Sequence, residues 1–181
     1  MIEERQILNQ KDIQITIERL CQQLIEHHGD FKNTVIVGVQ PRGTFLSNRI
    51  IGKLKQLLNT NDVESGSLDI SFYRDDLRRR DEPIVPEIMD MNLSLEGKNV
   101  VLIDDVLFTG RSIRSAIDAL MAFGRPKSVE LLTLIDRRFS RDLPIQPNYV
   151  GRTIDAIDSE RVIVEWKEVN GKDRILMVKS D

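Results

Sequence analysis

Apolar residues recur early in the chain as Ile13, Ile17, Leu20 and Leu24, at spacings of four, three and four. Residues three and four apart are neighbours on a helical surface, so this spacing predicts an amphipathic helix, and Gly29 supplies its stop. The short β-branched run Val35-Ile36-Val37-Gly38-Val39 follows, then the loop Gln40-Pro41-Arg42-Gly43 and a second helical pattern, which together read as strand, loop and helix. Leu68, Ile70 and Phe72 alternate with Asp69 and Ser71, the period of a strand with one buried face. Residues 74–86 are charged, carry two prolines and lack apolar periodicity, which predicts an exposed, mobile loop.

Val100-Val101-Leu102-Ile103 is apolar throughout, as a strand buried on both faces requires, and it runs abruptly into Asp104-Asp105. After Gly110, the residues Ile113, Ala116, Ile117, Leu120 and Met121 mark one face of a helix that Gly124 and Pro126 close. Residues 129–135 form another apolar strand. Strands that alternate with helices imply right-handed crossovers and a mainly parallel sheet covered on both faces. Residues 162–166 and 175–178 flank Asn170-Gly171, a hairpin signal because both turn residues tolerate positive φ, so the chain is expected to finish antiparallel.

No repeat, low-complexity tract or linker-like run divides the sequence. A length of 181 residues with 40% hydrophobic and 30% charged composition fits one domain over residues 1–181. The single cysteine, Cys21, cannot form an internal disulfide; within the first helical pattern it reads as a packing residue and fits a reducing compartment. No apolar run approaches the ~18–20 residues of a spanning helix, and Met1-Ile2-Glu3-Glu4-Arg5 lacks the start of a signal peptide, so a soluble, cytoplasmic protein is expected. A net charge of −3 makes the whole surface a poor magnet for nucleic acid, and an RNA site has to be a local basic patch. Arg137, Arg138, Arg141 and Arg152 could form one, or serve equally as ion-pair partners. His27 and His28 end the first helical pattern beside Gly29, where interaction with the helix C-terminus accounts for them. The scattered aromatic residues offer no stacking platform for single-stranded nucleic acid.

Candidate chemistry concentrates in Val100-Val101-Leu102-Ile103-Asp104-Asp105-Val106-Leu107-Phe108-Thr109-Gly110-Arg111-Ser112, a buried strand, a loop and a helix start. The first N–H groups of a helix have no intrahelical partners, so Thr109, Gly110, Arg111 and Ser112 can converge on a phosphate, helped by the helix dipole and two hydroxyls. Charge-assisted hydrogen bonds of this kind contribute roughly 1.5–3 kcal/mol each. Asp104 and Asp105 stand where open α/β sheets bind ligands, and ionised carboxylates accept from vicinal hydroxyls. Phosphate donors and hydroxyl acceptors in one loop suit a ribose 5-phosphate. Taken alone, the acid pair reads more readily as a cap for the next helix or as metal ligands than as a ribose site.

The string from Asp104 to Ser112 resembles the phosphoribosyl-diphosphate loop of the type I phosphoribosyltransferases. A phosphate loop with Gly-Lys-Ser or Gly-Lys-Thr and a dinucleotide fingerprint are both absent. Gly38-Val39-Gln40-Pro41-Arg42-Gly43, Phe72-Tyr73-Arg74-Asp75-Asp76-Leu77, Gly124-Arg125-Pro126, and Asp136-Arg137-Arg138 with Leu143-Pro144-Ile145 extend the likeness across nearly the whole chain. Within the superfamily they are similar to the pyrimidine-operon regulators that are also uracil phosphoribosyltransferases.

The resemblance implies a mainly parallel sheet flanked by helices, with a C-terminal antiparallel hairpin as a hood. It implies that phosphoribosyl diphosphate and uracil are converted to UMP and diphosphate, with Mg²⁺ carried on the substrate diphosphate and no all-protein metal cage. Asp104 and Asp105 then hold the ribose hydroxyls, and residues 106–112 hold the 5-phosphate. Arg42 and Gly43 belong to the diphosphate loop, where Pro41 replaces the family's usual threonine; the family often has a cis peptide there, and Pro41 has no N–H to donate. Arg74 lies at the base of a loop that closes over the reacting centre. The uracil edge is held by backbone groups near Arg137 and, in the hood, near Val162. Leader RNA is an implied partner, and a homo-oligomer the implied assembly. Two alternatives stay open: a nucleotide-sensing RNA regulator with little turnover, and a purine phosphoribosyltransferase, whose members usually carry Glu-Asp in place of Asp104-Asp105.

Overall fold

Asn9 starts the first helix by a reciprocal cap. Its side-chain oxygen accepts from the Asp12 N–H at 2.9 Å, and the Asp12 carboxylate accepts from the Asn9 N–H at 3.1 Å, satisfying two donors that a helix start leaves orphaned. The helix, α1 (Gln10–His28), ends at Gly29, whose N–H returns to the Ile25 carbonyl. It turns Ile13, Ile17, Leu20, Cys21 and Leu24 inward, as the spacing predicts. Cys21 is fully buried, and burial pushes its thiol up to about 12, which suits a packing residue and not a nucleophile.

The structure is a computed structural model that describes residues 3–70, 94–157 and 159–179. The chain continues from β1 (Glu3–Leu8) and α1 through β2 (Thr34–Val39), α2 (Gly43–Leu58), β3 (Ser65–Leu68), β4 (Asn99–Leu107) and α3 (Arg111–Leu120). A short 3₁₀ turn, Met121–Phe123, follows, then β5 (Ser128–Arg138), β6 (Tyr149–Asp155), β7 (Glu160–Glu165), α4 (Lys167–Asn170) and β8 (Arg174–Lys179). Five strands form a parallel sheet in the order β3-β2-β4-β5-β6, and a separate antiparallel sheet runs β1-β8-β7. The α/β class, the mainly parallel sheet and the antiparallel C-terminal hood are therefore all present.

Neighbouring residues on β4 face opposite cores. Val101 and Ile103 join α1 and α2 on one face of the sheet, while Val100 and Leu102 join α3 and Leu95 on the other. That two-sided burial is why the strand reads as a continuous apolar run. Full burial of each such side chain contributes ~1.5–3 kcal/mol relative to exposure.

Several expectations need correction. The strand expected at Leu68, Ile70 and Phe72 lies earlier, at Ser65–Leu68. Asp69 is buried rather than solvent-facing, and Phe72 lies outside the described residues. The loop expected at residues 74–86 also lies outside them. β4 does not stop at Ile103: it runs through both aspartates to Leu107, held by pairing with β5 out to Leu107 and Asp136. Asn170-Gly171 does not make a two-residue hairpin turn, because the short helix α4 precedes it and widens the connection between β7 and β8. The hood has a third strand, β1, paired with β8, and the parallel sheet has the extra edge strand β6. In β1 the residues Glu4, Arg5 and Gln6 are all exposed, so no apolar alternation marks it. His27 and His28 turn their rings onto Tyr149, Glu130 and Thr34 instead of serving only the helix end.

Strand order fixes where a ligand can sit. The chain leaves β2 through α2 toward β3 on one side, and leaves β4 through α3 toward β5 on the other. Adjacent strands whose connections diverge open a crevice at their carboxyl ends. The start of α2 presses against that crevice: a Cβ at Gly43 would stand 2.4 Å from the Ile103 carbonyl oxygen and 3.1 Å from the Asp104 Cα. Only a glycine lets α2 approach β4 this closely. Gly43→Ala is therefore expected to cost ~1–3 kcal/mol, the usual scale of overpacking, and to lower the melting temperature by several degrees in calorimetry.

Candidate active site

β4 delivers Asp104, Asp105 and the following loop to the crevice, and Gly110 turns that loop into α3. Gly110 takes φ 90°, a left-handed conformation that side-chain-bearing residues rarely adopt, so the helix starts immediately after a tight turn. Gly110, at the N-cap, has no side chain to cap α3. This helix start borders a cavity of about 260 Å³ lined by Asp104 and by Val106 through Ile113, with Ser115. Thr109 and Ser112 add their hydroxyls to this lining, and the Arg111 N–H lies 3.4 Å from the Thr109 hydroxyl. An uncapped helix start, two hydroxyls and a carboxylate in one cavity form a site for an anion that also carries hydroxyl groups.

The two aspartates differ in environment. Asp104 is half-buried and lines the cavity, and its Oδ1 accepts from the Asp105 N–H at 2.9 Å. Asp105 is only 6% exposed. Burial pushes its carboxyl above the usual range, against the opposing pull of Arg42, whose Nε stands 3.6 Å from Asp105 Oδ2. Desolvation of the charged form outweighs this attraction because the Arg42 side chain is half exposed.

Arg42 sits at the Gln40-Pro41-Arg42-Gly43 corner after β2, where the Gln40-Pro41 peptide is cis. Its Nη2 donates to the Val164 carbonyl of β7 at 2.6 Å, which ties this corner to the hood. Arg137, at the end of β5, is buried and donates to the Glu160 carbonyl at 2.9 Å, while its guanidinium lies 3.9 Å from the centre of the Phe108 ring. Val162, between those two carbonyl contacts on β7, packs against the core. The structure therefore gathers Pro41, Arg42, Gly43, Asp104 to Ser112, Arg137 and Val162 along the loops after β2 and β4, the end of β5 and the hood. Arg74 lies outside the described residues.

Sequence reasoning missed the fastening of the phosphate loop from outside. The Arg141 guanidinium donates to the carbonyls of Leu107, Phe108, Arg137 and Ile145 and pairs with Asp136. The N–H groups of Asp142 and Leu143 both reach the Thr109 carbonyl, at 3.0 and 3.2 Å, and the Asp142 carboxylate meets Arg111 Nε at 2.8 Å. Among the basic residues singled out for RNA, Arg141 is thus turned inward. Arg138 pairs with Asp155 and Arg152 donates to the Ile7 carbonyl. The only sequence sign of this arrangement was the Asp136-Arg137-Arg138 stretch followed by Leu143-Pro144-Ile145.

A crevice at the β2/β4 divergence, with a helix start and paired acids beside it, fits a phosphoribosyltransferase. A family model described as the phosphoribosyl transferase domain matches residues 4–168. The chain is 39% identical over 178 residues to a bifunctional protein PyrR of Enterococcus faecalis, covering 98% of each chain. It is 42% identical over 180 residues to that of Ligilactobacillus salivarius, covering 97% of this chain and 98% of the relative. A hypoxanthine phosphoribosyltransferase from Staphylococcus aureus shares the fold with a TM-score of 0.71, at 23% identity over 97% of this chain and 92% of the other. The chain belongs to the phosphoribosyl transferase family and, within it, to the family of bifunctional PyrR proteins.

Asp105 gives a prediction about stability. Its buried carboxylate costs more than its distant pairing with Arg42 returns, so Asp105→Asn, which keeps the shape and removes the charge, is expected to hold or raise the melting temperature near neutral pH. A drop of several degrees in calorimetry would show that the attraction to Arg42 dominates instead.

Proposed function

We propose that this protein is a uracil phosphoribosyltransferase that forms UMP and diphosphate, and that it also regulates a pyrimidine operon by binding leader RNA. The observation that carries the enzymatic half is the single cavity in which the α3 start and its hydroxyls adjoin Asp104. It offers donors for a 5-phosphate and a carboxylate for ribose hydroxyls within one loop. The bifunctional relatives support both halves.

In this reading a ring nitrogen of uracil displaces diphosphate from C1 of phosphoribosyl diphosphate, through a transition state with oxocarbenium-like charge. No covalent enzyme intermediate is needed. The α3 start anchors the phosphate, Asp104 and Asp105 orient the ribose, and the negative pair lies on the side where positive charge develops. Arg42, at the corner after β2, receives the departing diphosphate. Arg74 is assigned to the same diphosphate by the sequence likeness alone. The backbone near Arg137 and Val162 holds the base edge. Mg²⁺ fits this donor set only as a companion of the diphosphate, because hard cations prefer phosphate oxygens and water; it supplies neutralisation of the leaving group.

A purine substrate is the competing reading, since solved purine enzymes share the fold. That likeness, at 23% identity, is one of fold alone, and the Asp104-Asp105 pair favours the pyrimidine reading. The RNA half draws on relatives rather than on an evident basic patch, because Arg138, Arg141 and Arg152 already have intramolecular partners. A cytoplasmic homo-oligomer, acting as a single domain, completes the proposal.

Purified protein supplied with phosphoribosyl diphosphate and Mg²⁺ should release diphosphate with uracil and not with hypoxanthine or guanine. Asp104→Asn and Asp105→Asn should each lower kcat/KM by at least about tenfold, a loss of roughly 1.4 kcal/mol in transition-state stabilisation. Release with a purine alone would move the protein to purine salvage, and unchanged kinetics in both variants would remove the aspartates from the site.

A further inference from the structure

At the far end of the parallel sheet from the phosphate cavity, four side chains from three elements converge. His27 and His28 come from the last turn of α1, Glu130 from the beginning of β5 and Tyr149 from the first position of β6. His28 Nε2 stands 3.1 Å from Glu130 Oε2, and His27 Nδ1 stands 3.9 Å from the same oxygen. The Tyr149 hydroxyl occupies the middle, 2.6 Å from His27 Nδ1, 3.2 Å from His28 Nε2 and 2.7 Å from Glu130 Oε2. The two ring nitrogens and the carboxylate oxygen all lie within 4.8 Å of one another.

The Nε2 nitrogen of His28 faces the cluster. His28 is almost wholly buried, and its other nitrogen, Nδ1, is 3.2 Å from the Thr34 hydroxyl. Without an ion, Nε2–H donates to Glu130 and Nδ1 accepts from the Thr34 hydroxyl; in the other tautomer Nδ1–H donates to Thr34 and frees the Nε2 lone pair for an ion, the outer hydrogen bond that orients a metal-binding histidine. His27 is the exposed arm, with a side chain 63% exposed.

We infer that His27, His28 and Glu130, with Tyr149 or water as the fourth donor, form a binding site for a divalent transition-metal ion of the zinc class. Two imidazole nitrogens and one carboxylate suit such an ion, whereas Mg²⁺ prefers an all-oxygen shell. A four-coordinate ion with bonds near 2.0–2.1 Å needs donors about 3.3 Å apart, close to the separations of His28 from Glu130 and from Tyr149, so the closure falls to the exposed His27 ring. The ion would replace the phenol-centred hydrogen bonds and clamp the end of α1 to β5 and β6. Its role is thus separate from the diphosphate-bound metal ion of the reaction.

The test titrates tag-free, EDTA-treated full-length protein with Zn²⁺ alone, and with Co²⁺ as an optical probe, without diphosphate. Saturable Zn²⁺ uptake, a rise in melting temperature and a visible Co²⁺ band of a low-coordinate site are expected. His27→Gln and Glu130→Gln should weaken uptake by at least about tenfold, and Thr34→Val, which removes only the outer hydrogen bond, by roughly 10–100-fold. Because His27 is exposed, His27→Gln should melt like the wild-type protein in EDTA and retain its diphosphate release. Failure of the wild-type protein to take up either ion saturably, or uptake equally tight in His27→Gln and Glu130→Gln, overturns the proposal.

Discussion

The divergence of the chain at β2 and β4 is the constraint on which the rest of the structure depends. Once neighbouring parallel strands send their connections in opposite directions, their carboxyl ends cannot be covered by either crossover helix, and a polar crevice remains in an otherwise two-sided core. Everything assigned to chemistry hangs from that opening: the Arg42 corner after β2, the aspartates near the end of β4 and the loop into α3. Gly43 allows α2 to start directly against β4, which sets the two loops side by side.

Loops at such a crevice gain precision only if something holds them, and here arginines hold them. Arg42 and Arg137 each reach a carbonyl of β7, so the hood is bound to the corner after β2 and to the end of β5 through side chains rather than sheet pairing. Arg141 gathers carbonyls from the phosphate loop and from the end of β5, and a planar group with five donors is suited to that task. A lysine at Arg141 could not satisfy the same set. The hood is anchored a second time by Arg49 of α2, which pairs with Glu168 and the buried Asp173 and lies 4.6 Å from the centre of the Trp166 ring.

Periodicity read α1, β2, α3 and β5 from the sequence because each buries its apolar residues on a regular lattice. It failed where tertiary pairing, not composition, makes the element. β1 is a strand only because β8 is beside it, and β4 continues through two acids because β5 offers partners as far as Asp136. In the site, the segment from Asp104 to Ser112 was legible as a contiguous string, since it comes from one strand end and one turn. The Arg137–Phe108 stack, the Arg42 contact with Val164 and the inward turn of Arg141 were not, because they join residues 29 to 122 positions apart or depend on carbonyls that have no sequence signature. The histidine pair was visible as residues, but its partners Glu130 and Tyr149 lie 102 and 121 positions from His28.

The central claim is that the α3 start receives the 5-phosphate of a ribose nucleotide. Titrating isotope-labelled protein with UMP and following backbone amide resonances tests it most directly. The N–H signals of Thr109, Gly110, Arg111 and Ser112 should show the largest shifts, and uridine, which lacks the phosphate, should leave them nearly unmoved. Equal shifts with uridine, or shifts that leave these four N–H signals unmoved, would contradict the account.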